Sequence, residues 1–179
     1  MELRQSHGHE IKDITKIHLE AFNETEGPIV SELAKNILND KTAEPRLSLV
    51  AEKQNELLGH VLFTKLEIET DKYNLNARIL APLAVRPKVM KTGIGSKLVT
   101  KGCEQLKNDG VELIFVYGDP KYYSRFGFKP AKPLGLLPSH PIPKEYEEAW
   151  MVMNLANKTF QKMNCKVKCC QALDDPKFW

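Results

Sequence analysis

This chain is expected to fold as a mixed α/β domain, and three features carry the expectation. Residues at helical spacing mark two amphipathic stretches: Ile11, Ile14, Ile17, His18, Ala21 and Phe22, then Val30, Leu33, Ala34, Ile37 and Leu38. Apolar runs of strand length occupy Leu47–Ala51, Leu57–Ile68, Ile79–Val85 and Glu112–Val116. The two kinds of segment do not alternate regularly. Strand, two helices, three strands, helix, strand, helix and strand is not a string of βαβ units, and it suits one sheet buried between helices.

In order, Glu2–Gln5 reads as a short first strand, and the first helix runs from about Glu10 to Phe22. Glu24–Gly27 breaks it, and Pro28 suits the first turn of the second helix. The polar turn Lys53–Glu56 joins two arms of a hairpin, and Asp71–Asn74 turns the chain into the strand Ile79–Val85. A helix spans Gly93–Asn108, with Gly110 placed to end it and Gly102 placed for close packing on the sheet. Asp119 can cap a short helix with Pro120 in its first turn and Gly127 at its end. Lys132–Pro143 holds four prolines and reads as irregular loop, Ala149–Leu155 as the final strand, and the chain beyond Asn157 as a helix and a docked tail.

The length of 179 residues suits a single domain over the whole chain, with a C-terminal extension from about residue 157. A net charge of +3 carries no strong polyanion signal, so no nucleic-acid partner is expected. The lysine-rich stretch Lys158–Lys168 reads as a solvated helix face. No run approaches 18 apolar residues and the first residues lack an apolar signal region, so no membrane partner and a cytoplasmic location are expected. Cys103, Cys165, Cys169 and Cys170 lack the spacing and histidine neighbours of a zinc site and read as buried thiols; no metal is expected.

The chemistry centres on Leu80–Leu98. A buried strand stops at Arg86-Pro87, and Gly93-Ile94-Gly95 opens a helix. Such a helix end offers bare N–H groups and the positive end of a dipole, which suits a phosphate or pyrophosphate. The stretch resembles motif A of the GNAT acetyltransferases, a strand followed by Val-x-Pro, five residues, Gly-x-Gly and a helix. Where that family carries Gln or Arg three residues before the first glycine, this chain has Met90, and Lys91 stands where close relatives often have glycine. A second element, Gly118-Asp119-Pro120-Lys121-Tyr122-Tyr123-Ser124-Arg125-Phe126-Gly127-Phe128, resembles the Tyr-x-x-x-Gly-Phe segment of the same family and a bacterial subgroup of it; Asp175-Pro176-x-Phe178 is similar to the subgroup's tail.

The resemblance implies a mixed, mostly antiparallel sheet of about six or seven strands flanked by helices, as in GNAT proteins generally. Its fourth and fifth strands would splay near Pro82–Ala84. It implies acetyl-CoA as cosubstrate. Leu83, Ala84 and Val85 would hold the pantetheine arm by main-chain pairing. Met90, Lys91, Thr92, Gly93, Ile94, Gly95 and Ser96 would hold the pyrophosphate. The Leu83 N–H would face the developing oxyanion and Tyr123 would contact the cofactor and protonate the CoA thiolate.

The reaction implied is direct transfer to an amine, on a small molecule or a protein, in a ternary complex. The alternative is a module of this fold that binds acyl-CoA without turnover. Lys88 and Lys91 are candidates for phosphate contact or plain exposure, Arg125 for a salt bridge or the CoA phosphates, and Tyr122 for packing. Candidate bases are Glu24, Glu26, His60, Glu67 and Asp119; His60 also reads as a core-edge residue and Asp119 as a cap. Trp150 and Trp179 read as packing residues. The acceptor is expected near Glu24–Pro28 and the proline-rich loop Lys132–Pro143, and a homodimer stays open.

Overall fold

The computed structural model describes residues 1–70, 74–156 and 158–179. Nine strands and four α-helices are present among them. Strand β1 (Glu2–Gln5) leads to α1 (Ile11–Ala21) and α2 (Glu26–Asn39), then to β2 (Leu47–Lys53), β3 (Glu56–Ile68) and β4 (Ala77–Val85). Helix α3 (Ile94–Asn108), β5 (Leu113–Tyr117) and the one-turn α4 (Pro120–Tyr123) follow. The rest comprises β6 (Lys129–Pro130), β7 (Leu136–Leu137), β8 (Trp150–Asn154), β9 (Cys165–Cys169) and a tail of short 3-10 turns. The expected turn at Asp71–Asn74 lies mostly outside the described residues.

The sheet order is β1-β2-β3-β4-β5-β8-β6, antiparallel throughout except that β4 and β5 run parallel. Gln54 and Asn55 both have positive φ, 52° and 61°, as a two-residue hairpin turn between β2 and β3 requires. Strand β3 outruns β2, which stops pairing at Phe63; β9 takes up the vacated edge at Leu66–Ile68 and carries β7 alongside it.

Each face of the sheet has its own core, and the alternation of side chains decides which residue joins which. Phe115 and Leu113 face α1, α2 and the C-terminal tail, in a cluster with Ile14, Ile17, Leu62 and Trp150. Ile114 and Val116 face α3, in a cluster with Phe63, Leu80, Leu98 and Met151. A strand covered on both sides must be apolar throughout, hence the unbroken Leu-Ile-Phe-Val of β5. At Gly102 an added Cβ would stand 2.2 Å from Cε2 of Phe63, so the glycine sets how closely α3 approaches β3.

Two expectations for the C-terminal third fail. Ala149–Leu155 is not the last strand, and Lys158–Lys168 is not a helix face. The segment Cys-Lys-Val-Lys-Cys has a period of two: Cys165, Val167 and Cys169 are buried while Lys166 and Lys168 are exposed, which is a one-sided strand. The proline-rich loop also holds a 3-10 turn, Lys132–Leu134, and the strand β7, so it is less irregular than its prolines suggest. The strand count accordingly rises from six or seven to nine. All four cysteines are buried free thiols, as expected.

Candidate active site

The site begins where two parallel strands part. β4 and β5 pair from Ala77/Leu113 to Leu80/Val116 and no further. Immediately beyond, the register of β4 against β3 shifts between Val61 and Phe63, so that Ala81 and Pro82 together oppose Leu62. This bulge, at a residue with no N–H to give, bends β4 away from β5 while β3 stays paired to it.

The alternation of peptide groups then decides what the bent segment exposes. The Arg86 N–H donates to the Leu58 carbonyl of β3 (2.8 Å), so Ala84, two residues earlier, also turns its peptide groups toward β3. Leu83 and Val85 are out of phase with these residues and turn theirs into the gap beside β5. The register agrees, with Leu83 opposite Val61 and Val85 opposite Gly59.

The end of α3 closes the same gap. Its cap is Gly93, with φ of 86°, and its first intrahelical bond runs from Lys97 N–H to Gly93 C=O (3.0 Å). The N–H groups of Ile94, Gly95 and Ser96 therefore precede the helical ladder and point out of the helix. Lys91 has φ of 61°, the left-handed conformation that glycine adopts without cost. The position where relatives of motif A carry glycine thus demands this backbone, and the lysine accepts it.

The third wall is the segment after β5. Asp119 Oδ1 accepts from Lys121 N–H (2.9 Å) and caps α4, with Pro120 in the first turn. Gly127, with φ of 97°, ends the following 3-10 turn. The ring of Tyr123 makes edge contacts with Tyr122 (5.0 Å) and Phe128 (5.7 Å), and an added Cβ at Gly118 would stand 2.5 Å from its Cε2. Burial, aided by Tyr122 and Asp119, pushes the Tyr123 phenol up from its usual range, so the group stays protonated at neutral pH.

Two cavities meet along these walls. A groove of about 700 Å³ is lined by Leu83, Ala84, Val85, the loop residues Met90 and Lys91, and Gly93–Ser96. Tyr122 and Arg125 close its far side. A pocket of about 550 Å³ lies on the other side of β4, lined by Tyr123, Tyr117, residues of α2 and the C-terminal tail. Phe22, Leu83 and Asp119 border both. The groove also carries Lys91, Lys121 and Arg125, none of them ion-paired among the described residues, so its charge favours an anion.

The expected site residues are thus brought together, with two qualifications. Thr92 does not line the groove, because its hydroxyl donates to the Val89 carbonyl (2.7 Å) and stabilises the loop instead. Tyr123 lines the pocket rather than the groove. Lys88 is held on Glu56 (2.6 Å), away from the groove. Tyr122 is more than packing: its hydroxyl reaches the start of α3, where an added Cβ on Gly95 would meet it at 2.8 Å. Arg125 makes no salt bridge among the described residues and lies 4.5 Å over the Tyr122 ring.

Of the candidate bases, only Glu26 and Asp119 line the groove or the pocket. Glu67 is on the far end of β3 beside Lys65 (2.6 Å). His60 is fully buried rather than at the core edge; its Nδ1 meets His18 Nε2 (2.8 Å) and its Nε2 meets Ser48 Oγ (2.9 Å). The pocket touches Glu26, near where the acceptor was expected, but none of Lys132–Pro143; the tail residues Leu173 and Lys177–Trp179 stand there instead. Trp150 packs as expected, whereas Trp179 is both packing residue and pocket wall. Nothing in the sequence marked Phe22, Tyr117 or the tail as walls of a site, since long-range packing of the tail on β5 and β8 is what brings Tyr117 and Trp179 together here. No cluster able to hold a metal is found among the described residues, and no helix is long and apolar enough to cross a membrane.

Comparison with known proteins gives a consistent answer. A family model described as an acetyltransferase (GNAT) domain matches residues 2–131. The uncharacterised N-acetyltransferase YjhQ of Escherichia coli strain K12 is 35% identical over 144 residues, 80% of this chain and 78% of that protein. A crystal structure of the GNAT-family N-acetyltransferase YhbS from Escherichia coli, in complex with CoA, matches with a TM-score of 0.82 and 25% identity, covering 97% of this chain and 92% of that one. A GNAT-family acetyltransferase from Brucella melitensis, in complex with acetyl-CoA, matches with a TM-score of 0.68 and 26% identity over 97% of both chains.

Proposed function

Because the chain belongs to the GNAT acetyltransferase family, we propose that it transfers an acetyl group from acetyl-CoA to an amine by direct attack in a ternary complex. The observation that carries this reading is the opened edge of β4, with Leu83 and Val85 turned into a gap that ends on the first turn of α3. The CoA and acetyl-CoA held by two structural relatives support the choice of cosubstrate.

In this reading the pantetheine amides add to β4 as a short extra strand, paired with Leu83 and Val85 on either side of Ala84. The pyrophosphate lies on the N–H groups of Gly93–Ser96, with the loop Met90–Thr92 around it and Lys91, Lys121 and Arg125 supplying charge. The thioester then falls where groove and pocket meet, beside Leu83, Asp119 and Tyr123. The amine lone pair attacks the carbonyl carbon, and negative charge grows on the carbonyl oxygen. The Leu83 N–H, fixed by the strand it belongs to, stabilises that charge at no cost in reorganisation. The C–S bond breaks with its electrons on sulfur, and the Tyr123 phenol gives the thiolate its proton.

Calorimetric titration with acetyl-CoA, followed by thiol release with an amine panel, tests the assignment. Tyr123→Phe is expected to lower kcat about 100-fold, the scale of general acid catalysis, with the Kd for acetyl-CoA within about threefold of the parent. Absence of acetyl-CoA binding sinks the reading; an unchanged kcat removes Tyr123 as the acid.

A further inference from the structure

The second cavity differs chemically from the groove. Its walls are mainly aliphatic and aromatic, with Ile29 and Leu33 from α2 on one side and Tyr117, Phe178 and Trp179 on the other. The aromatic wall is fixed. The Trp179 ring stacks on Tyr117 (6.2 Å between centroids, 12° between planes) and meets Trp150 edge-on (5.5 Å). Its Nε1–H donates to the Leu173 carbonyl (3.1 Å). An indole held on three sides is a rigid surface that loses little entropy when a ligand packs on it.

Charge is sparse and uneven in this pocket. Lys177, the only cation among the described residues that line it, is engaged by Asp175 (3.2 Å) and lies 4.9 Å over the Phe178 ring. Two carboxylates line it, Glu26 and Asp119. Glu26 accepts from the Asn23 amide (3.1 Å) at the outer end. Asp119 stands at the inner end, on the border with the groove, and its cap bond occupies Oδ1 only. A ligand with several ammonium groups would leave most of them against hydrocarbon, which is costly without paired carboxylates. A ligand with one ammonium has a place for it at Asp119, and apolar walls for the rest.

We propose that the acceptor is a small primary monoamine carried on an aromatic or branched aliphatic body, the body packed against Tyr117 and Trp179 and the nitrogen at Asp119. This rests on the transferase reading given above. The ammonium gives one proton to the Asp119 carboxylate, and its freed lone pair forms the new N–C bond to the acetyl carbon. The C–S bond breaks to a thiolate that takes its proton from Tyr123, and the second proton that nitrogen loses on becoming an amide returns through solvent to the Tyr123 phenolate. A volume of about 550 Å³ is within the range of small-molecule sites.

The test is a panel of phenethylamine, tryptamine, isoamylamine, spermidine, kanamycin and a hexapeptide beginning with Phe, read by thiol release from acetyl-CoA on the full chain. The arylalkyl and branched amines are expected to exceed spermidine and kanamycin at least tenfold in kcat/KM. Trp179→Ala should raise KM for phenethylamine about tenfold while leaving the Kd for acetyl-CoA within about threefold. Asp119→Asn retains a good helix cap, and is expected to lower kcat/KM at least tenfold while leaving the Kd for acetyl-CoA within about threefold.

Higher kcat/KM with spermidine or kanamycin overturns the proposal, as does thiol release with none of the panel when acetyl-CoA binds normally. Faster turnover of the hexapeptide overturns the assignment to a small molecule. Failure of acetyl-CoA to bind is a different result, and it overturns the transferase reading itself.

Discussion

Tyr123 lies flat against the backbone of Gly118, and no side chain at position 118 leaves room for its ring: an added Cβ would stand 2.5 Å from Cε2 and 3.1 Å from Cδ2. Gly118 is also tied at its N–H to the Ala149 carbonyl (3.0 Å), so the backbone cannot retreat easily. The ring must move instead. Gly118→Ala is therefore expected to lower kcat about tenfold through a displaced phenol, with acetyl-CoA affinity nearly unchanged, because a 1 Å misplacement at the reacting centre is costly. Steady-state kinetics with calorimetry checks this. A kcat equal to the parent's separates Tyr123 from the chemistry.

The strained loop residue makes a second prediction. Lys91 holds φ of 61° and is an exposed residue lining the groove. Lys91→Ala and Lys91→Gly both remove the ammonium, but only glycine relieves the left-handed backbone. Lys91→Gly should be more stable than Lys91→Ala by about 1 kcal/mol in urea denaturation. Both should weaken acetyl-CoA binding by the same small factor if the charge, not the backbone, contacts the phosphates.

The two motifs made most of the groove legible in the sequence, because a glycine-opened helix after an apolar strand has one common physical use. The departure of β4 from β5 near Pro82 was implied by the family resemblance, not by the strand's own residues. The pocket was not. Its aromatic wall joins Tyr117 to Trp179 across 61 intervening positions, and nothing in either residue's neighbourhood indicates the other. The C-terminal strand was missed for a different reason. Its lysines drew attention to charge, whereas the signal lay in the alternation of Cys165, Val167 and Cys169. His60 was misjudged because its partner, His18, comes from another element and satisfies a nitrogen that would otherwise keep a histidine near water.

A buried guanidinium fixes the approach to the groove. Arg86 follows β4 directly; its Nε–H donates to the Leu57 carbonyl (2.7 Å) and its NH1 is ion-paired with Glu20 near the end of α1. It thereby ties Val85 and the Ala21–Phe22 wall to the same point. Arg86→Met leaves the Leu57 carbonyl without its donor and Glu20 with only the more distant Lys16 (3.8 Å), and is expected to cost about 2 kcal/mol in stability. Acetyl-CoA affinity should fall with it. Arg86→Lys should recover only part of either, since an ammonium does not reproduce the guanidinium fork. Chemical denaturation and calorimetry on both variants decide the matter.

The histidine pair sets the pH dependence of stability. Burial lowers the pKa of His18 to about 3 and that of His60 well below its usual value, with His18 adding to the latter. In the unfolded chain both bind a proton near pH 6.5, and in the fold neither does. The unfolded state therefore takes up more protons as pH falls, so the stabilisation is complete above about pH 6.5 and is lost progressively below it. Between pH 6 and 5 the slope should approach about 1.4 kcal/mol per pH unit for each histidine. His18→Leu replaces one of the two, whatever its own effect on stability, and should halve that contribution to the slope. Urea denaturation at half-unit steps from pH 7 to pH 5 measures it, and an identical slope in parent and variant shows that His18 is already protonated in the fold.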